Sequence, residues 1–363
     1  MKRIVIVSDY YFNDRRGGGI SSAVSNLFLN LDSELNISII SYRNSEGIIR
    51  PLTFYYKLLN LLFFGKNVVI YINGIFNIHS NILPIFFARF SRIKLILSPR
   101  GMLKSSALAN SKKKLLFLKL LNLILKKSTI FHVTDSIEKN ESIFFFPNFQ
   151  HIDILDFPPP RINDFPKRLK GPGELCILYI GRIDELKNLH SILLTLKKLS
   201  VFLKNGEFIP DKKIKFTIIG EKSDIKYFQY CKILIDEINN LNEVMVSHFE
   251  FLEYHKLQQF FLDHHLFVSL SKGENFGYTI AESLANSLPI IITPNSPFGK
   301  LFEMKIGSIV QCDDLDEVFR ELLYYYNMGE EDYADLCRSV FYNYNLMFSK
   351  SDLIYKYKEL FKV

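Results

Sequence analysis

Short runs of consecutive apolar residues alternate with longer stretches of helical period from the start of the chain. Arg3–Tyr10, Ile37–Arg43, Val68–Asn73, Lys94–Ser98, Thr129–Thr134 and Ile152–Leu155 predict strands. Their apolar residues are continuous rather than alternating, as in parallel strands covered on both faces. Helical patterns over Ser21–Leu31, Ile82–Phe90 and Lys112–Lys127 lie between them, which is βαβ order. Then comes the densest Pro/Gly stretch: Phe157-Pro158-Pro159-Pro160, Asp164-Phe165-Pro166 and Gly171-Pro172-Gly173. It can continue neither a helix nor a central strand, so it reads as a linker. The strand pattern restarts with Leu175–Ile180, Lys215–Ile219, Val244–His248, Leu266–Leu270, Pro289–Thr293 and Ser308–Val310. The chain is 363 residues long, more than one ordinary core holds. The predicted fold is α/β, with Rossmann-like parallel-sheet domains over residues 1–165 and 166–350. Two such domains imply a cleft with ligands at the carboxyl ends of strands.

Charge divides the halves. Residues 1–165 carry 21 Lys/Arg against 11 Asp/Glu, and residues 166–363 carry 24 against 27. A basic first half suits an anionic partner, such as an acidic substrate or a membrane surface. No recognised nucleic-acid motif accompanies the charge. The four cysteines lie in the second half without CxxC spacing, so they read as core residues in a reducing compartment. No apolar run reaches the length of a membrane-spanning helix. Lys112-Lys113-Lys114 and Lys126-Lys127 bracket the apolar Leu115–Leu125. That stretch reads either as a core helix with solvated ends or as a helix docked on anionic lipid. Tyr55–Phe64 is a second apolar candidate for acceptor or membrane contact.

Three loops carry candidate chemistry. Gly17-Gly18-Gly19 follows the first strand, and Ser21-Ser22 open a helix. Glycines there allow close approach of a phosphate to a helix start. The stretch is not GxGxxG, which disfavours a nicotinamide-dependent dehydrogenase, and no P-loop Lys-Ser/Thr follows it. Gly181-Arg182-Ile183-Asp184-Glu185-Leu186-Lys187-Asn188 follows the first strand of the second half and opens a helix at about Leu189. Arg182 and Lys187 supply a donor fork and a point charge for a diphosphate. Ser269–Ala285 contains Glu274-Asn275-Phe276-Gly277-Tyr278-Thr279 and Glu282, a Gly-containing loop that opens a helix. A helix N-terminus suits phosphate, and carboxylates accept bonds from sugar hydroxyls. Each loop read singly is also an ordinary βα connection. Asp314-Leu315-Asp316 reads as a helix cap rather than a metal motif. His264-His265 lack ligand spacing to any Cys or third His, so a structural role is expected.

Together these residues resemble glycosyltransferase family 4, retaining GT-B enzymes that use nucleotide sugars, in a bacterial surface-polysaccharide version. Gly181-Arg182 with Lys187 is similar to the family's donor-diphosphate motif, and Glu274 through Glu282 to its Glu-x7-Glu motif. The resemblance implies that Arg182 and Lys187 stabilise the leaving diphosphate, that Glu274 contacts donor-sugar hydroxyls and that Glu282 contacts the nucleotide ribose. It implies that backbone amides around Phe276–Thr279 face sugar and phosphate, that Gly18 and Gly19 lie near the diphosphate, and that Phe251 flanks the base. Ser98-Pro99-Arg100-Gly101-Met102-Leu103 resembles a version of the family's N-domain, with Arg100 where many members carry a His near the reacting sugar. Ser287 stands where the family usually has Gly. The resemblance further implies that the helix at about 351–363 packs back on the first domain. The expected reaction moves a glycosyl unit to a hydroxyl of a glycan or lipid-linked glycan, without metal or other cofactor. A cytoplasmic place is expected, either free or peripheral at the inner face of the membrane. A non-catalytic nucleotide-sugar-binding subunit and a nucleotide-sugar epimerase are the alternatives.

Overall fold

The computed structural model describes all residues except 1, 11–17, 44–47, 49, 109–110, 162–163, 167, 207–213, 251, 253, 299–303 and 363. The chain divides into two compact units, Met1–Pro158 with Phe348–Val363, and Pro159–Met347.

The first unit holds β1 (Arg3–Ser8), α1 (Gly18–Leu31), β2 (Asn36–Ser41), α2 (Pro51–Phe64), β3 (Val68–Asn73) and α3 (Leu83–Arg89). It continues with β4 (Lys94–Ser98), α4 (Ser105–Leu108), α5 (Lys112–Ile124), β5 (Ile130–Val133), α6 (Ser136–Phe145) and β6 (Gln150–Asp153). Its six strands form a parallel sheet in the order β2-β1-β3-β4-β5-β6. All six residues of β3 are buried, as continuous apolar runs predict. Side chains of α2, α3 and α5 pack on one face of the sheet, around Leu58, Ile85 and Leu118. Helix α1 packs on the other face through Val24, Leu27 and Leu31. The last helix of the chain, Lys350–Lys362, joins it there through Leu353, Tyr357 and Leu360.

The second unit holds β7 (Leu175–Ile180), α7 (Leu189–Asn205), β8 (Ile214–Ile219), α8 (Ile225–Leu241), β9 (Val244–Phe249) and α9 (Tyr254–Asp263). Then follow β10 (Leu266–Ser269), α10 (Tyr278–Ala285), β11 (Ile290–Ile292), β12 (Gly307–Ile309), α11 (Leu315–Asn327) and α12 (Glu330–Met347). The final Lys350–Lys362 helix is α13. The second sheet is also parallel, in the order β12-β11-β10-β7-β8-β9. Helix α7 shows why these helices form: Leu189, Ile192, Leu193, Leu196, Leu199 and Leu203 make one buried stripe. Buried cations brace this unit. The Arg168 guanidinium donates to the carbonyls of Phe261, Leu262, His264 and Asn286 at 2.6–2.9 Å, at the C-terminal ends of α9 and α10. Lys170 Nζ donates to Met328 O at 2.9 Å beyond α11. Both satisfy carbonyls that a helix end leaves without partners.

Some boundaries differ from the sequence expectation. The first helix starts at Gly18 rather than Ser21. The helix expected to run to Lys127 stops at Ile124. There Arg89 Nη1 donates to Leu123 O and Ile124 O at 3.0 and 2.9 Å, and so caps the last turn from a different helix. In this helix Leu118 and Leu121 are buried in the core, while Leu116 and Leu123 are exposed. Asp314 caps α11 by accepting from Glu317 N–H at 2.9 Å, which is the expected capping role. His264 bonds Phe260 O and Thr217 Oγ1, and His265 Nδ1 accepts from Cys176 N–H, so both histidines are structural.

Candidate functional site

Chain order fixes where a ligand can sit in the second sheet. From β7 the chain moves to β8 and β9 on one side, then returns to β10, β11 and β12 on the other. Neighbours β7 and β10 therefore send their following loops apart, and such a switch point leaves a crevice at the carboxyl ends of the strands. The loops leaving these two strands are the two motifs singled out above.

They are joined. Lys187 Nζ, from the loop after β7, pairs with Glu274 Oε1, from the loop after β10, at 2.5 Å. The side chains are 19% and 12% exposed, so the pair is shielded but reachable. Lys272 N–H donates to Leu186 O at 2.9 Å, and Ser271 Oγ donates to the same carbonyl at 3.2 Å. A third loop, after β11, holds the far side: Glu274 N–H donates to Asn295 O at 3.2 Å, and Thr293 Oγ1 to Ser271 O at 2.7 Å. Lys187 N–H in turn donates to Asp184 Oδ1 at 3.0 Å. Arg182 Nη2 lies 3.4 Å from Asp184 Oδ2, but its side chain is 56% exposed, so this contact restrains it weakly.

Helix α10 adds a dipole. Gly277 is its N-cap with φ +76°, a conformation costly for any residue with a Cβ. The first bond of the ladder runs from Ala281 N–H to Gly277 O at 3.0 Å, so the amides before Ala281 lie at the positive end of the helix. The Phe276 and Tyr278 rings are buried against each other at 4.6 Å. These two positions therefore offer backbone rather than rings to a ligand. Asn275, Thr279 and Glu282 are partly exposed. Glu282 lies close enough to Tyr344 for its charge, after burial, to push that hydroxyl's pKa up. The loops after β7 and β10 thus join the Lys187 ammonium and the Glu274 carboxylate near a helix N-terminus, with Arg182 on the first loop and Glu282 in the second turn of α10, a set that suits an anionic, hydroxyl-rich ligand.

In the first unit the switch point lies between β1 and β3. Gly18, at the end of the loop after β1, has φ +56°, and a Cβ there would meet nothing within 4 Å. Conformation, rather than crowding, asks for glycine at that position. Gly19 follows it inside α1, while Gly17 and Phe251 lie outside the described residues.

Arg100 and Gly101 follow β4 with φ +56° and +71°. Arg100 is 7% exposed, and its guanidinium is committed to the protein. Nε donates to Asn73 Oδ1 at 2.5 Å, Nη2 to the Tyr71 hydroxyl at 2.8 Å, and Nη1 pairs with Asp156. The chain of bonds continues to His132. Ile154 O can only accept, so His132 Nε2 carries the proton (2.9 Å), and Nδ1 accepts from the Tyr71 hydroxyl at 2.7 Å. Burial, aided by the Arg100 charge, lowers the His132 pKa to about 4. Burial pushes the Tyr71 hydroxyl up to about 12. Gly101 N–H donates to buried Glu138 Oε1 at 2.5 Å, and Glu138 also accepts from Thr134 N–H and Oγ1 at 2.8 Å. Burial raises the Glu138 pKa despite these donors. The Arg100–Gly101 turn is therefore held by a buried polar network.

Sequence reasoning singled out Arg100 and Gly101 but missed Asn73, Tyr71, Asp156 and Glu138. One signal was present: Asp156 stands alone among Ile154, Leu155 and Phe157, and a charge in an apolar run needs a buried partner. It missed Asn295, which acts through its backbone carbonyl, and Thr293, whose hydroxyl meets a loop 22 positions away only in the folded chain.

Both parallel sheets match those of GT-B structures; the second has the Rossmann strand order and the first the related order that begins 2-1-3-4-5. Anabaena HepE, solved with UDP and glucose, is 13% identical with a TM-score of 0.68, and the match covers 100% of both chains. The UDP-forming α,α-trehalose-phosphate synthase from Burkholderia xenovorans, solved with glucose-6-phosphate, is 10% identical with a TM-score of 0.70, covering 99% of this chain and 100% of the other. S. aureus TarM, solved with fondaparinux, alpha-GlcNAc-glycerol and UDP, is 17% identical with a TM-score of 0.62. That match covers 85% of this chain and only 58% of TarM. No curated protein sequence matches significantly. Residues 160–336 match the family model of glycosyl transferases group 1. The stretch that matches this model lies in the second unit and holds both the Gly181–Asn188 and the Glu274–Glu282 motifs.

Proposed function

We propose that the chain is a retaining glycosyltransferase of family 4. It moves a sugar from a nucleotide-diphosphate sugar to a hydroxyl of a glycan or lipid-linked glycan in cell-surface polysaccharide synthesis. The observation that carries the reading is the Lys187–Glu274 pair, 2.5 Å long, at the switch point beside the positive end of α10. In this reading Lys187 and Arg182 bind the diphosphate, Glu274 takes the sugar hydroxyls and Glu282 the ribose. Asn275 and the backbone of Phe276, Gly277, Tyr278 and Thr279 frame the phosphate. Phe251 flanks the base, and Gly18 and Gly19 approach the diphosphate.

Without donor, Glu274 neutralises the cation that the diphosphate would engage. Donor binding exchanges that partner: the phosphates take Lys187, and Glu274 turns to the sugar. The bond from the anomeric carbon to the phosphate oxygen breaks as the acceptor oxygen attacks the same face. The acceptor proton passes to the departing diphosphate. Lys187 and Arg182 stabilise the charge that grows on that leaving group, without metal or cofactor. Arg100 acts as a positioning residue that shapes the turn at Gly101 near the reacting sugar. The basic first unit works at the anionic inner face of the cytoplasmic membrane.

The test is a screen of nucleotide sugars, UDP-sugars first, against glycan acceptors, with the product's anomeric configuration read by NMR. Retention is expected. Inversion overturns the mechanism, and donor isomerised without any acceptor would favour an epimerase.

A further inference from the structure

The first unit concentrates cations at the edge of its sheet opposite the loops that carry Gly18 and Arg100. Helices α2, α3 and α5 lead into β3, β4 and β5, so their C-terminal ends lie at the amino-terminal edge of the sheet. A cleft of about 780 Å³ opens there, lined by Lys2, Lys66, Arg92 and Lys94 together with Phe63 and Phe90. No carboxylate is among its lining residues. Burial and the neighbouring Lys2 lower the Lys94 pKa, as crowding of like charges would. Between Glu46 and Asp135 the sequence has fourteen Lys/Arg and no Asp or Glu.

Large apolar side chains stand exposed beside these cations. Phe63 is 57% exposed, Phe64 78%, Phe90 65% and Leu123 74%. They belong to the ends of α2, α3 and α5. The opposite layer, α1 and α13, exposes only Leu29 and Tyr355 among large apolar side chains of its described residues. A free phosphate would need the cations but not the phenyl rings. Rings and leucines projecting beside lysines are what an interface of acyl chains and anionic headgroups engages.

We propose that this edge is the docking surface for an anionic phospholipid bilayer: the cleft takes headgroup phosphates, and Phe63, Phe64, Phe90 and Leu123 enter the acyl boundary. The proposal rests on the reading that the first unit works at a membrane and assigns the face that does so. It places the membrane at the edge of the sheet opposite the Arg100–Gly101 turn, which suits an acceptor glycan that extends from the lipid surface.

The test is co-sedimentation of the full chain with phosphatidylglycerol–phosphatidylcholine vesicles and with phosphatidylcholine vesicles. Binding to the anionic vesicles alone is expected, reduced by salt and not displaced by inorganic phosphate. Replacing Lys66 and Arg92 by Gln should weaken it about 25-fold, about fivefold for each charge near the surface. Phe63→Ser with Phe64→Ser should weaken it by at least tenfold with an unchanged thermal melt, since both rings are exposed. No binding to anionic vesicles, or full binding by both double variants, would overturn the proposal. So would displacement by phosphate, or a dimer that the Phe63/Phe64 variant dissociates in sedimentation velocity. Sugar transfer to a short soluble acceptor, measured on the same preparations, separates this result from the catalytic reading: transfer should be unchanged in both double variants.

Discussion

Replacing Lys187 by Ala tests the donor site most directly. In the resting protein the ammonium and the Glu274 carboxylate attract by about 4 kcal/mol at the effective dielectric of a shielded surface, before desolvation is subtracted. A charged hydrogen bond of this kind has a net worth of about 2 kcal/mol, so the melt of the second unit should fall by about 4–8 °C and the fold should persist. Catalysis should suffer far more. Loss of one preorganised donor at a developing negative charge costs about 10²–10³ in kcat. Single-turnover transfer from the preferred nucleotide sugar, with circular dichroism on the same sample, reads both effects. A folded variant with near-wild-type turnover would refute the role. Glu274→Ala supplies the counterpart. It removes the carboxylate that neutralises Lys187, so binding of free nucleotide diphosphate should be retained or tightened while use of the donor sugar falls. Equal loss of both in a titration would argue against the sugar contact.

Ser287 has φ +59°, and its buried hydroxyl has no hydrogen-bond partner among the described residues, so Ser287→Gly should stabilise the chain by about 1 kcal/mol, read as a raised urea midpoint. An unchanged or lowered midpoint would show that the left-handed conformation carries no strain. Arg100→Leu strips Asp156, Asn73 and Tyr71 of a buried cation and should cost about 3–5 kcal/mol, whereas Arg100→Leu with Asp156→Leu should recover part of that loss in denaturant melts. Acid should destabilise the first unit through His132. Its folded pKa of about 4 lies below the ordinary value near 6.5, so the unfolded chain binds the proton first. This contribution is complete above about pH 6.5 and is lost as the pH falls toward 4, about 2 kcal/mol of it by about pH 5. His132→Gln should flatten the slope of stability against pH in that window, and an unaltered slope would contradict the assignment.

The sequence by itself determined the twelve-strand parallel pattern, because strands buried on both faces must be continuously apolar and the helices between them must carry one apolar stripe. It also marked Lys187, Glu274 and Glu282, since loops that open helices in βα units have few reasons to carry that chemistry together. The resemblance marked Ser287 as standing where the family usually has Gly, and the structure gives that position φ +59°. What the sequence left open was pairing. Lys187 and Glu274 are 87 positions apart and meet only because β7 and β10 become neighbours in the sheet. Arg100, expected near a reacting sugar, proved to have Asn73, Tyr71 and Asp156 around its guanidinium. The stretch 112–127 read either as a core helix or as a lipid-docked one; the fold buries Leu118 and Leu121 of α5 and leaves Leu116 and Leu123 outside. Local periodicity names which residues can lie on one face. Strand order, set by burial of both sheet faces at once, decides which loops converge and which charges find one another.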